Sequence, residues 1–210
     1  MAETRKSSED RQVELVDAAL QLIATRGIAA LSTRSLAEAV GLSSGAIFKH
    51  FPSLDALFQA LVARVEGVLD STYPPPGLPP LERLQAFIQA RSQAAGGQLG
   101  LHRLVTSEQF HLALPEAGAE RLGKAVQRSR AFIVECLREG QASGAVRDDI
   151  PVPALVPIVM GTVQALALAS GAPSHRGLDV EGTIAALVTL PSPPLLSPPC
   201  SPPPQRKRSK

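Results

Sequence analysis

A glycine set between two short amphipathic segments constrains this chain more than any other feature. From Thr33 to Val40 the run TRSLAEAV puts Leu36, Ala37 and Val40 on one helical face. Gly41 follows where a helix ends in a left-handed cap, a conformation that glycine adopts without steric cost. Leu42 supplies the apolar plug behind that cap, and Ser43 a hydroxyl to cap the next helix. The spacing predicts this second helix over Ser44 to Phe51, with Ile47 and Phe51 four residues apart on the buried side. Ser44, Gly45, Ala46, Phe48 and Lys49 then face outward. Pro52 stops the helix, Ser53 caps the one after it, and Asp55 lies in the positive first turn. Two short helices around such a turn, the second opening on small residues, fit the major groove of DNA. Glycine-turned helix pairs also form plain helical corners. The run Phe48-Lys49-His50-Phe51-Pro52 favours the nucleic-acid reading.

The rest of the chain predicts an all-α fold. Helix formers dominate, Trp is absent, and alternating β-branched stretches of the kind strands need do not occur. Residues 1–9 form a polar arm. Asp10 to Thr25 carries Val13, Val16, Leu20 and Ile23 as one stripe, ended by Arg26 and Gly27. Ser53 to about Thr72 turns Leu57, Leu61, Val65, Val68 and Leu69 inward. The stacked prolines between Tyr73 and Pro80 deny helix and mark a domain boundary. Beyond it, helices are expected over Leu81 to Ala95, Leu101 to Leu112, Pro115 to Gln141, Pro153 to Ser170 and Asp179 to Leu190. The proline-rich basic stretch 191–210 is low in complexity and is expected to be disordered. The predicted organisation is an arm (1–9), a helix-turn-helix domain (10–72), a second helical domain (73–190) and a tail (191–210).

Charge narrows the possible partners. Net charge is +2, but Arg206, Lys207, Arg208 and Lys210 carry four of the positive charges, and without them the balance is −2. Residues 1–66 hold seven Lys or Arg against eight Asp or Glu. Phosphate binding there has to come from placed side chains and helix N-termini rather than bulk charge. Cys136 and Cys200 make neither a disulfide framework nor a zinc spacing. A buried structural role is expected for Cys136, with a redox-sensing thiol as its rival. The charged stretch Met1 to Arg11 predicts no signal peptide. The apolar run Ile150 to Ala169 is broken by Pro151, Pro153, Pro157, Gly161, Thr162 and Gln164, as in a protein-buried helix. A soluble cytoplasmic protein with no membrane partner is expected.

Catalytic and metal signals are weak. Glu108 and His111 lie one turn apart, with His102 nearby, but two ligands from one helix make a poor metal site. No Ser-His-Asp order, phosphate loop or carboxylate pair stands in a supporting context. Neither enzyme activity nor a cofactor is expected. Leu104, Phe110, Phe132, Met160 and Gln164 are candidates to line a ligand pocket in the second domain, and plain core is the rival reading.

The first 65 or so residues resemble the N-terminal domain of the tetracycline-repressor (TetR) family of bacterial transcription regulators. The likeness lies in a first helix ending Thr25-Arg26-Gly27, then Leu31-Ser32-Thr33-Arg34-Ser35-Leu36-Ala37, Val40-Gly41-Leu42-Ser43 and Ile47-Phe48-Lys49-His50-Phe51-Pro52. The resemblance implies that Arg34 contacts a base and that Ser44, Gly45 and Ala46 face the base edges. It implies that Thr33, Ser43, Phe48, Lys49 and His50 lie on or near the phosphates. Phe48 departs from the tyrosine frequent in the family, and Leu54 from a frequent lysine, with Lys49, Arg5, Lys6 and Arg11 able to compensate. The implied function is a homodimeric repressor that binds a palindromic double-stranded DNA operator and is released by a small-molecule effector. Its dimer would pair the Pro153–Ser170 helix and a last helix bearing Val180, Ile184, Leu187 and Val188 with their symmetry mates. The rival is a helical small-molecule-binding protein or enzyme whose N-terminal helix pair is purely structural.

Overall fold

Serine caps set most of the helix starts in the N-terminal part. The structure, a computed structural model, describes residues 7–97, 108–170 and 180–188, and every regular element among them is helical. Helix α1 (Ser8–Arg26) starts two residues before the expected Asp10, because Ser7 and Asp10 form a capping box. The Asp10 amide donates to the Ser7 hydroxyl at 3.0 Å, and the Ser7 amide to the Asp10 carboxylate at 3.2 Å. The expected arm therefore gives up its last residues to the helix. Val13 is also displaced from the expected stripe and is 56% exposed. The buried face of α1 centres instead on Leu15, Ala19 and Leu22, flanked by Val16, Leu20 and Ile23, which turns Val13 to the rim.

Gly27, at φ +81°, leads into a 3-10 turn (Ile28–Ala30) and then α2 (Thr33–Val40), α3 (Ser44–Phe48) and α4 (Leu54–Asp70). The chain continues through α5 (Pro80–Gly97), α6 (Glu108–Ala113), α7 (Glu116–Ala142), α8 (Val152–Ser170) and α9 (Val180–Val188). These match the expected helices within a few residues. The expected start of the helix at Leu101, the Asp179 cap, and the 191–210 tail with Cys200 lie outside the described residues. No helix of the described residues is long and apolar enough to cross a membrane.

Two apolar clusters organise the packing. The first gathers Leu15, Leu20, Ile23, Leu36, Ile47, Phe51, Leu57, Leu61 and Val65 with Phe110, Leu114, Leu122 and Ala125. The second gathers Leu84, Phe87, Ile88, Ile133, Cys136, Leu137, Val146, Leu155, Val156, Val159, Leu166 and Ile184. Helix α7 feeds both, Leu122 and Ala125 entering the first cluster and Ile133 and Leu137 the second. The first cluster thus runs past the proline segment. Along that seam Gly118 brings the α7 backbone against α4, where an added Cβ would stand 3.5 Å from Val62 and Gln59. Arg121 pairs with Glu66 and donates to Gln59 at 3.3 Å, and Arg128 pairs with Asp70 at 3.1 Å. Ile184, expected at a dimer face, is 2% exposed and is part of the chain's own second core.

Cys136 is fully buried in that second core. Burial pushes its thiol up to about 11, and the Arg83 guanidinium opposes the shift. A thiol raised in this way stays neutral when folded, while an unfolded thiol ionises near its ordinary 9.0. Its contribution to stability is therefore complete below pH 9 and is lost as pH rises to about 11. In a Cys200→Ser background, iodoacetamide at neutral pH should leave native Cys136 unmodified and alkylate the urea-unfolded chain. Comparison with Cys136→Ala between pH 9 and 11 should show the steeper stability loss in the protein that keeps the thiol.

Candidate nucleic-acid interface

The geometry of the α2–α3 pair follows from its caps. Ser32 and Ser35 cap α2 reciprocally, the Ser35 amide donating to the Ser32 hydroxyl at 3.1 Å and the Ser32 amide to Ser35 at 3.0 Å. The Ser35 hydroxyl also donates to the Ala30 carbonyl at 2.6 Å, which ties α2 to the turn before it. Gly41 sits in the left-handed region at φ +68° and ψ +32°. Its amide reaches the Glu38 carbonyl at 3.4 Å and the Leu42 amide reaches Ala37 at 2.9 Å, the paired bonds of a Schellman cap. Leu42 packs half-buried against the first core, and the Ser43 hydroxyl accepts from the Ala46 amide at 3.2 Å to start α3.

The α3 helix ends at Phe48, three residues earlier than the expected Phe51. Pro52 disfavours helical backbone at the residue before it, so the chain leaves the helix through a turn at Lys49 and His50. Phe51 still reaches the core, at 6% exposure beside Ile47 at 1%. Burying Ile47 and Phe51 on one side leaves Ser44, Gly45, Phe48 and Lys49 exposed on the other, with Ala46 partly covered. Arg34 projects from the same surface at 86% side-chain exposure and pairs with Glu38 at 3.0 Å. Such an exposed pair is worth about 0–1 kcal/mol, so it yields readily to a stronger partner. Thr33 and His50 are half-buried. All nine expected DNA-contacting residues are thus exposed or half-buried, and the last of them, His50, closes the end of the pair.

Two contacts that sequence spacing does not reveal hold that end in place. Gln12 donates its side-chain amide to the His50 carbonyl at 2.9 Å, and the Ser8 hydroxyl lies 3.4 Å from His50 Nδ1. The first turns of α1 are thereby pinned beside the end of α3. Of the residues expected to compensate for missing phosphate anchors, Arg11 is paired with Glu14 at 2.8 Å, and Arg5 and Lys6 lie outside the described residues. At the start of α4 the Ser53 hydroxyl accepts from the Ala56 amide at 3.1 Å, and Leu54 is 36% exposed.

The candidate ligand-lining residues separate. Phe110 is fully buried in the first core, with its ring 6.4 Å from that of Phe58. Phe132 and Met160 border the second core, Gln164 is exposed, and Leu104 lies outside the described residues. Around Phe132 a group of aromatic rings encloses Arg91, a charged residue that shares the buried stripe of α5 with Leu84, Phe87 and Ile88. Among the described residues no three His, Cys, Asp or Glu side chains converge as metal ligands, and His102 lies outside them.

Residues 15–61 match the family model described as bacterial regulatory proteins, tetR family. Among curated proteins, 68 residues are 37% identical to the nucleoid occlusion factor SlmA of Haemophilus ducreyi (strain 35000HP / ATCC 700724). That match covers 32% of this chain and 34% of SlmA, so the chain spans about a third of that relative's length. A match of 150 residues at 27% identity, covering 68% of this chain and 72% of the relative, is to the HTH-type transcriptional repressor KstR2 of Mycobacterium tuberculosis. The solved structure of the ketosteroid transcriptional regulator KstR2 from that organism has the same fold, with a TM-score of 0.76 at 23% identity, covering 90% of this chain and 99% of that one. AibR, solved in complex with isovaleryl coenzyme A and operator DNA, shares it with a TM-score of 0.71 at 15% identity, over 84% and 97% of the two chains.

An added Cβ at Gly45 would meet nothing within 4 Å, so the folded chain has room for alanine there. Gly45→Ala should keep or raise stability, by at most about 1 kcal/mol, since alanine is the better helix former. If α3 approaches base edges closely, the same methyl should weaken DNA binding. Thermal melts beside gel-shift titrations of the two proteins check both halves.

Proposed function

We propose that this chain, whose residues 15–61 match the model for bacterial regulatory proteins of the tetR family, is a transcriptional repressor that binds a palindromic operator as a homodimer and leaves it when a small molecule binds the C-terminal helices. The observation that carries this reading is the outward face of the helix pair. Arg34, Ser44, Gly45, Phe48 and Lys49 are exposed there while the reverse of the same two helices is locked in the first core. A major groove admits one such helix, and the rigid backing holds its side chains at a fixed height above the bases.

Each residue has a role its chemistry suits. Arg34 exchanges the exposed Glu38 carboxylate for guanine O6 and N7, which match its planar fork. Ser44, Gly45 and Ala46 let the α3 backbone come close to base edges. Ser43 accepts from the Ala46 amide, which leaves its hydroxyl proton free to donate to a phosphate. Lys49 supplies a point charge to the backbone, and Thr33 and His50 flank it. Phe48 offers apolar contact to sugar or thymine methyl in place of a hydroxyl bond. The domain limits proposed from the sequence stand in this reading, residues 10–72 reading DNA and 73–190 binding the effector and the second copy. The similarity to the transcriptional repressor KstR2, and to AibR bound to isovaleryl coenzyme A and operator DNA, supports both halves. The site of action is the cytoplasm, where bacterial DNA is.

The second copy is proposed to dock on α8. That helix has no charged residue, and Ala154, Pro157, Ile158, Gly161 and Ala165 are exposed along one side of it. Ile158 is 45% exposed, while Ile184 is committed to the chain's own core. Ile158→Asp should therefore fold with a stability change of about 0.5 kcal/mol or less, as for most surface changes. It should sediment as a monomer and lose tight operator binding.

Selection of bound DNA from a random pool tests the proposal directly, with two-fold symmetric sites as the expected product. Arg34→Ala should lose about 1–3 kcal/mol of specific binding and relax the preference at one base pair per half-site. Lys49→Ala should weaken binding to all sequences alike and flatten the salt dependence. An unchanged selected sequence after Arg34→Ala would contradict the placement of α2 on the groove.

A further inference from the structure

Arg91 is the most heavily buried cation among the described residues, and no carboxylate there lies close enough to form an ion pair with it. Its side chain leaves α5 and is 8% exposed. The guanidinium carbon lies 4.7 Å from the Phe87 ring centroid and 5.7 Å from that of Tyr73. Nη2 donates to the Ser129 hydroxyl on α7 at 3.1 Å, while Nε is buried with no hydrogen-bond partner. Ser129 in turn donates to the Ala125 carbonyl at 3.1 Å and lies 3.4 Å from the Tyr73 hydroxyl. The nearby carboxylate of Asp70 is held by Arg128 at 3.1 Å. Burial draws the Arg91 guanidinium below its usual range, and Tyr73 and Asp70 compensate in part. An arginine so placed keeps its proton, so the fold carries a buried positive charge with one idle donor.

We propose that Arg91, with Ser129 and Tyr73, forms the anchor for the carboxylate of a small monoanionic ligand whose apolar body lies along Tyr73, Phe87 and Phe132. This rests on the reading of the C-terminal helices as an effector-binding body and names the chemical class of that effector. One planar cation presents two parallel N–H groups on its Nε–Nη2 edge, and a carboxylate accepts both side by side. A single buried charge is neutralised by a monoanion, whereas a phosphate dianion would bury a second charge unpaired. The rings stand 4.9–5.5 Å apart, centroid to centroid, and supply an apolar wall. Tyr73 and Phe132 are only half-buried, so this wall reaches the surface. The ligand meets α5 and α7 together, and α7 is also the helix against which α4 packs.

The test uses the full chain with octanoate and 4-phenylbutyrate as probes and the matching primary alcohols as uncharged controls. Calorimetric titration should show the acids binding the wild-type protein at least about tenfold more tightly than the alcohols, as a charge-assisted hydrogen bond requires. Arg91→Met should erase that preference while leaving the alcohols unchanged. A second readout needs no variant to fold: the Nε–H resonance of Arg91 in the wild-type protein should move downfield when either acid is added. Equal binding of acids and alcohols, no acid binding at about 1 mM, or acid binding that leaves the Nε resonance still would each overturn the proposal. If an acid binds at Arg91 without loosening operator DNA, the anion site stands and effector-driven release fails. If operator is released by a ligand that leaves Arg91 undisturbed, release stands and this site fails.

Discussion

The packing of α4 against α7 is the constraint on which the rest of the structure depends. Leu61, Val62 and Val65 of α4 are fully buried, and Leu122 and Ala125 of α7 are buried with them. Each such leucine or valine side chain contributes about 1.5–3 kcal/mol when taken from water. The ion pairs across the seam keep at least one partner open to solvent, and such pairs contribute about 0–1 kcal/mol each. Apolar packing therefore holds the two helices, and Arg121–Glu66 and Arg128–Asp70 fix their angle. Leu36 and Ile47 belong to the same apolar cluster as the α4 stripe, so the proposed DNA-reading face rests on the core that α4 and α7 share.

That arrangement gives the proposed ligand control a physical route. A ligand that prefers one placement of α7 shifts α4, and DNA affinity changes by the same free energy that the ligand gains from the difference. Because the cores are close-packed, small displacements are transmitted between the helices rather than absorbed. The head contributes little bulk charge, with seven cations against eight anions in residues 1–66. Affinity for DNA then depends on a few placed groups being in register.

How much of this was legible in the sequence varied with the range of the interaction. The α2 boundaries, the left-handed Gly41 and the Ser43 and Ser53 caps are local events, and each was readable from residues within a turn. The early end of α3 is local too, but depends on how Pro52 restricts Phe51, a weaker signal than the apolar spacing. Val13 misled because a three-residue step matches both the centre and the rim of a buried face. The links from Gln12 and Ser8 to His50 span 38 and 42 residues and have no sequence signature. Arg91 was hidden for the same reason. A charged residue on a helix resembles solvent-facing decoration until Tyr73 and Ser129, far from each other in sequence, are seen to close over it.

The central claim is that the DNA-reading head and the first half of α7 form one cooperative unit. Native-state hydrogen exchange tests it most directly, with the amides of α2, α4 and residues 118–126 followed against denaturant in the full chain. The account predicts that the most protected amides of α4 and of 118–126 exchange through the same opening, with equal free energies and equal denaturant dependence. Protection of 118–126 that persists after α2 and α4 have opened would show a head free to move by itself, and would contradict it.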